Sequence, residues 1–278
     1  MKQLAILGMF SFALIWMGGA EHAARAAGSS VQRRGRDNLV QDFEWRGRLA
    51  PGQTLELKGI NGDIRAELSD GDEVEVVARK HGRWDAEESV RIEVVEHEGG
   101  VTICTIYENR GRRPNVCAPG DVGRLTSRNN DVEVDFVARI PAGVNFTGKT
   151  VNGDVEARSL EGNVFGYTVN GDVEIIATGV AGAATVNGSI DVWMGRADWD
   201  GDMDFRTVNG GITLRVPSDF AAEITGETLN GSIESDFPIT IWVRFGPRGL
   251  SGTIGGGGGG RGLHVETVNG SIRLLSNG

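Results

Sequence analysis

The densest run of potential metal ligands in the chain is Asp198-Trp199-Asp200-Gly201-Asp202-Met203-Asp204. Carboxylates at alternate positions offer the hard oxygen ligands that calcium takes, and Gly201 would let the chain turn sharply between them. The spacing does not complete an EF-hand loop, because no Glu stands at the closing position. In an extended strand the four carboxylates would share one solvated face, so calcium at Asp198, Asp200, Asp202 and Asp204 is the weaker of two expectations. A second set, Asp154 with Glu156 and Asp172 with Glu174, has the character of the acid and base of a polysaccharide-cleaving enzyme. The equivalent places further along are Ser189 and Asp191, then Gly211 and Thr213, then Ser232 and Glu234. A column that drifts in this way suits a solvated surface better than a catalytic pair held at fixed separation.

Other chemistry finds no support in the residues. His81, His97 and His264 lie far apart and outside any H-E-x-x-H or Cys/His spacing, and no G-x-S-x-G elbow occurs. The six glycines from Gly255 to Gly260 run into Arg261 and lack the G-K-[ST] ending of a phosphate loop. We therefore expect no catalytic residue, no cofactor and a non-enzyme, with a polysaccharide hydrolase or lyase as the alternative. Trp193, Trp199 and Trp242 are the candidates for a binding face, since aromatic rings on a flat β surface stack on sugars or anchor protein partners. Filling the core or the corners is the alternative reading of these three rings.

The bulk composition bounds what these residues can serve. The chain has 278 residues, 39% of them hydrophobic, enough to bury a core, and 43 glycines against 7 prolines without a G-X-Y period. A formal charge of −10 excludes the basic stripe of a nucleic-acid binder and disfavours anionic membrane surfaces. The local basic cluster of Arg110, Arg112, Arg113, Arg124 and Arg128 reads as a solvated loop or as a contact for an anionic envelope polymer. Met1 and Lys2 precede an apolar run from Leu4 to Met17 and small-residue sites ending at Ala20 or Ala26, the pattern of a secretory signal. The run is short for a retained membrane span. The polar stretch from residue 27 to residue 42 reads as a flexible leader. Cys104 and Cys117, the only cysteines, fall in the exported part and can close a disulfide loop there, two separate thiols being the alternative.

From Phe43 onward apolar and charged residues alternate, as in Thr54-Leu55-Glu56-Leu57-Lys58 and Arg91-Ile92-Glu93-Val94, with only Asp85 to Ser89 hinting at a helical turn. Over this β pattern lies a repeat whose asparagines are Asn61, Asn152, Asn170, Asn187, Asn209, Asn230 and Asn269. A branched aliphatic residue precedes each one. Thr stands two before it in six of the seven copies, and a β-branched residue stands three after it in all of them. From Asn152 the spacings are 18, 17, 22, 21 and 39, the last as if a copy between Asn230 and Asn269 had lost its signature. A period near twenty marks units that bury their apolar faces against one another.

Asn-Gly often makes a two-residue hairpin turn. That turn would place the two aliphatic columns on opposite faces, whereas an extended or merely bent passage would bury all fourteen side chains in one core. The second arrangement is favoured, with Asn and Thr stacking as hydrogen-bonded ladders and Gly turning the corner at positive φ. The expected fold is all-β: a β-solenoid of stacked coils over residues 147–278, with an N-terminal β region over residues 43–146 capping or continuing the stack. Ile272 to Leu275 is expected at the far end, and an uncapped end would allow self-association.

The T-V-N-G-D/S-V/I copies, the passage from Phe237-Pro238-Ile239-Thr240 to Arg248-Gly249-Leu250-Ser251-Gly252-Thr253-Ile254-Gly255, and the closing Glu266-Thr267-Val268-Asn269-Gly270-Ser271-Ile272 together resemble a bacterial family of unknown function. Its members are β-strand-repeat proteins regarded as candidate adhesins. The resemblance spans roughly Phe43 to Gly278 and is specific in the C-terminal half; the cysteine loop is not part of it. It implies a β-helix-like fold at the envelope or cell surface. The partners expected are an envelope polymer, a glycan or a surface protein, with no nucleic acid and no stable membrane span once the signal is removed.

Overall fold

The computed structural model describes residues 43–82, 89–108, 113–127, 130–245, 248–256 and 259–278. The signal and leader segments, Arg110, Arg112 and Arg128, and Asp85 to Glu88 of the expected helical turn lie outside these residues. What is described is all-β, in two large mixed sheets.

The first sheet runs in spatial order β1 (Phe43–Gly47), β4 (Val74–His81), β7 (Glu133–Ile140), β3 (Ile64–Leu68), β9 (Val155–Leu160), β11 (Val173–Ala177), β13 (Ile190–Met194), β15 (Ile212–Val216), β21 (Ile272–Ser276) and β17 (Ile233–Ser235). The second runs β18 (Ile239–Phe245), β19 (Gly249–Ile254), β16 (Ala222–Asn230), β20 (Gly262–Asn269), β14 (Asp202–Arg206), β12 (Ala181–Ala184), β10 (Val164–Tyr167), β8 (Asn145–Lys149), β2 (Thr54–Lys58), β6 (Gly100–Tyr107) and β5 (Val90–His97).

Each repeat crosses from one sheet to the other through its T-V-N-G corner. Strand β10 leads through Thr168 to Gly171 into β11, and β12 leads through Thr185 to Gly188 into β13. Like residues then lie side by side, as in the parallel registers Val155↔Val173, Val173↔Ile190, Ile190↔Ile212 and Ile212↔Ile272. These side chains are buried and share one core with Leu55, Phe136, Phe146 and Phe205. The core thus runs without a break across residue 146.

The corners are not hairpins. Asn61, Asn152, Asn170, Asn187, Asn209 and Asn269 form successive parallel bridges, and from Asn152 on each side-chain amide donates to Oδ1 of the Asn before it in this series at 2.7–2.8 Å. The expected amide ladder is present. The hydroxyls behave otherwise: Thr150, Thr168, Thr185, Thr207, Thr267 and Thr228 donate to the Gly62, Gly153, Gly171, Gly188, Gly210 and Gly270 carbonyls of the neighbouring repeat, at 2.7–3.1 Å. This corrects the expectation that all fourteen aliphatic residues face inward. The Thr side chains are buried, while Val151, Val169 and Val208 remain 37–38% exposed. A threonine hydroxyl needs a buried acceptor, and the neighbour's corner carbonyl supplies one on the inner side of the bend. The adjacent Val must then alternate outward.

The glycines serve close approach as much as turning. A Cβ on Gly171 would overlap the carbonyl of Gly153, and one on Gly188 that of Gly171, although only Gly171 of the two has a left-handed φ, +159°.

Two expectations about order are overturned. The copy at Asn269 lies between those at Asn209 and Asn230, with Asn230 donating to Asn269 Oδ1 at 2.8 Å. The described residues of the 39-residue interval hold no further copy: β18 and β19 form an antiparallel pair there, beside β16. Consequently Ile272 to Leu275 does not end the first sheet; the three-residue β17 does. Every copy carries the same corner, so either one can follow Asn209 by local chemistry alone, and the longer β16 with its antiparallel partners takes the outer place.

Candidate binding surface

Trp193 sits on β13 between the buried Val192 and Met194, so it projects from the outer side of the first sheet. Its lateral neighbours in register are Ile176 on β11 and Arg215 on β15, and Arg215 is followed by Leu275 on β21. All four stand six residues after their motif asparagine. The column four residues after the asparagine reads Glu156, Glu174, Asp191, Thr213 and Arg273. Where the two columns meet, Glu174, Ile176, Asp191, Trp193 and Arg215 line an open depression of about 590 Å³. Arg215 pairs with Asp191, and Arg158 reaches Glu174 at 3.8 Å. These exposed pairs contribute little stability. Their effect is to hold an aromatic ring, an aliphatic side chain and two carboxylates on one flat surface.

Such a surface offers a ring face for apolar stacking and carboxylate oxygens that accept hydrogen bonds from hydroxyl groups. The sequence pointed to Trp193 but not to Ile176, Asp191 or Arg215 as its companions. The signal was available, because counting four and six residues on from each asparagine brings these side chains together.

The other sequence candidates fall elsewhere. Trp199 is buried, its Nε1–H donating to the Gly262 carbonyl at 3.1 Å and its ring 5.8 Å from that of Phe220. It fills the core and is not open to a ligand. Trp242 is exposed, but it lies on β18 at the edge of the second sheet and does not share a face with Trp193. The four aspartates are exposed, and three of them are paired locally, Asp198 with Arg196 at 3.6 Å, Asp202 with His264 at 3.7 Å and Asp204 with Arg206 at 2.7 Å. Among the described residues no three Asp, Glu, His or Cys side chains gather into a group that could hold a metal ion.

The candidate catalytic carboxylates have structural partners. Asp154 Oδ1 accepts the Asp172 backbone N–H at 2.8 Å and Asp172 Oδ1 that of Ser189 at 2.6 Å, continuing a series that starts with Asp135 and Asp63. Glu156 is bound by Arg65 and Arg158. A larger cleft of about 790 Å³ lies at the first corner, lined by Ile60, Asn61, Asn130 and Asn152 among others. Its amides serve the fold: Asn152 donates to Asn61, and Asn130 donates to Ser89 Oγ and accepts from the Val132 N–H.

Cys104 and Cys117 are joined in a disulfide. The loop that follows lies over the outer side of the second sheet. Lys58 Nζ donates to the Ala118 carbonyl at 2.6 Å, and Glu56 Oε2 accepts the Gly120 N–H at 2.9 Å. Burial pushes the Lys58 ammonium below the ordinary lysine range. Burial also pulls on Lys149, but hydrogen bonds to Asp121 and Glu56 outweigh it and hold that group above its usual value. Asp121 is drawn down by the hydrogen bond from Lys149, yet its side chain is 93% exposed, so water screens the pair. The clamp covers the outward side chains of β2 and reaches Lys149 on β8.

No protein-family model and no curated protein matches the chain. Among solved structures it is similar to a candidate cell adhesion protein from Clostridium sporogenes, with 11% identity, 85% of this chain and 100% of that one covered, and a TM-score of 0.43. It is similar also to a candidate adhesin from Bacteroides fragilis, with 11% identity, 84% and 97% covered, and a TM-score of 0.38. A candidate lipid binding protein from Parabacteroides distasonis matches with 10% identity, 85% and 94% covered, and a TM-score of 0.28. At this level of likeness the functional reading rests on the chain's own residues.

Proposed function

We propose that the protein is an exported, non-catalytic binding module of the cell envelope or surface, built as a β-solenoid, whose ligand is a glycan or envelope polysaccharide lying across the outer side of the first sheet. The observation that carries this is the Trp193 depression, in which a sugar ring could stack on the indole while Glu174 and Asp191 accept its hydroxyls. The alternating passage of the chain between two sheets through identical corners supports the solenoid. The candidate catalytic carboxylates Asp154 and Asp172 are held by the backbone, which supports binding without cleavage.

The test is co-sedimentation of residues 27–278 with isolated envelope polysaccharides, with product analysis of the supernatants. Retention without soluble fragments, weakened at least tenfold in Trp193→Ala, is the expected result. Release of fragments would establish an enzyme instead, and retention unaffected by Trp193→Ala would move the site elsewhere.

A further inference from the structure

The unit formed by β20 and β21 is the one repeat inserted between two units that both precede it in the chain. On one side Asn269 donates to Asn209 Oδ1 at 2.7 Å and Thr267 to the Gly210 carbonyl at 2.9 Å. On the other side Asn230 donates to Asn269 Oδ1 at 2.8 Å and Thr228 to the Gly270 carbonyl at 2.7 Å. The slot therefore satisfies the inserted unit on both flanks, in the second sheet between β14 and β16 and in the first between β15 and β17.

The tether from β19 runs through six consecutive glycines. Gly255, Gly256, Gly259 and Gly260 all have left-handed φ, and the last three have nothing within 4 Å of where a Cβ would stand. From Gly255 to Arg261 the tether can extend to about 25 Å. The repeats at Asn152, Asn170 and Asn187, by contrast, are each threaded between the repeats that precede and follow them in the chain, and cannot leave without unravelling them. This unit can withdraw, and the slot it vacates is complementary to the same unit of a second copy.

We propose that the slot is an interaction surface for a second copy of this chain, which inserts its own β20–β21 unit there by reciprocal exchange. The exchanged contacts are identical to the internal ones, so protein concentration during folding sets the balance between the two forms. Exchange is reciprocal and closes on itself, giving a two-fold dimer rather than a fibre.

Thr213 on β15 and Arg273 on β21 are register partners on the outer side of the first sheet and outside the Trp193 depression. The test unfolds and refolds Thr213→Cys, carrying an affinity tag, together with untagged Arg273→Cys. The native disulfide is kept intact, and a short thiol-to-thiol crosslinker is added after refolding. The expected result is a tagged–untagged covalent dimer that increases with protein concentration and exceeds the homodimers of either single variant. The double variant refolded in dilute solution is expected to crosslink within one chain, which shows that the pair is within reach. A heterodimer no more abundant than the homodimers, while the double variant crosslinks internally, would overturn the proposal. Failure of the double variant to crosslink internally would also overturn it, by removing the inserted unit on which it stands.

Discussion

Val169 and Val173 belong to the same repeat and differ only in which side of the corner they occupy, so truncating each to Ala tests the corner directly. Val173 is 1% exposed, and its side chain packs in register against Val155 and Ile190. Val173→Ala removes two buried methylene equivalents at about 0.8 kcal/mol each. The void left between stacked strands that cannot collapse raises the loss to about 2–3 kcal/mol. Val169 is 38% exposed, so the same substitution there removes surface that is already partly wet, at less than about 1 kcal/mol. For a chain of this size each kcal/mol lowers the melting temperature by about 2–4 °C. Val173→Ala should therefore melt about 5–10 °C below the wild type, and Val169→Ala no more than about 4 °C below it. Circular dichroism at one fixed scan rate measures both. Equal losses at the two positions would refute the inward-Thr, outward-Val arrangement and restore an arrangement in which both aliphatic columns are buried.

Gly188→Ala should be far more damaging than its small volume suggests, because the new methyl group meets the Gly171 carbonyl; soluble yield and melting temperature should fall well below those of Val173→Ala. Cys104→Ser with Cys117→Ser opens a loop of sequence separation 13 and should cost about 3 kcal/mol in denaturant unfolding. Tyr107 is buried, and its phenol is pushed up to about 12. The folded chain keeps that proton while the unfolded chain releases it from about pH 10 upward. Its stabilising contribution is thus intact below pH 10 and drains away between pH 10 and about 12, by about 2–3 kcal/mol; Tyr107→Phe should flatten this part of the stability–pH curve.

Much of the fold was legible because its information is columnar. Seven asparagines with matched neighbours announce stacked repeats, and stacking makes an amide ladder the natural use of Asn. The two cysteines were legible on the same local terms. The order of the repeats was not, because Asn230 and Asn269 carry the same corner and no local residue says which follows Asn209. The burial of Glu56 and Lys58 was not legible either: alternation in Thr54 to Lys58 puts them outward, and only the distant segment around Ala118 and Gly120 covers them. In the candidate site, Trp193 was readable from parity within a strand. Of the two readings open for Trp199, filling the core is the one that holds, and Arg215 escaped notice because its partners lie one and two repeats away.

The corners also govern how the protein ages. Asn-Gly is the dipeptide most open to deamidation, in which the glycine backbone nitrogen attacks the Asn side-chain carbonyl, expels ammonia and leaves a new negative charge. Here the attacking nitrogens are engaged: the Gly62, Gly153, Gly171, Gly188, Gly210 and Gly270 N–H groups donate to Asn carbonyls of adjacent repeats at 2.8–3.2 Å. Among the described residues Gly231 makes no such backbone bond, because the Asn230 repeat is the outermost in the column. Chemical wear should therefore begin at Asn230, turning into a carboxylate the amide of the outermost rung. Six of the seven corners are shielded by their neighbours, and the seventh keeps the clock.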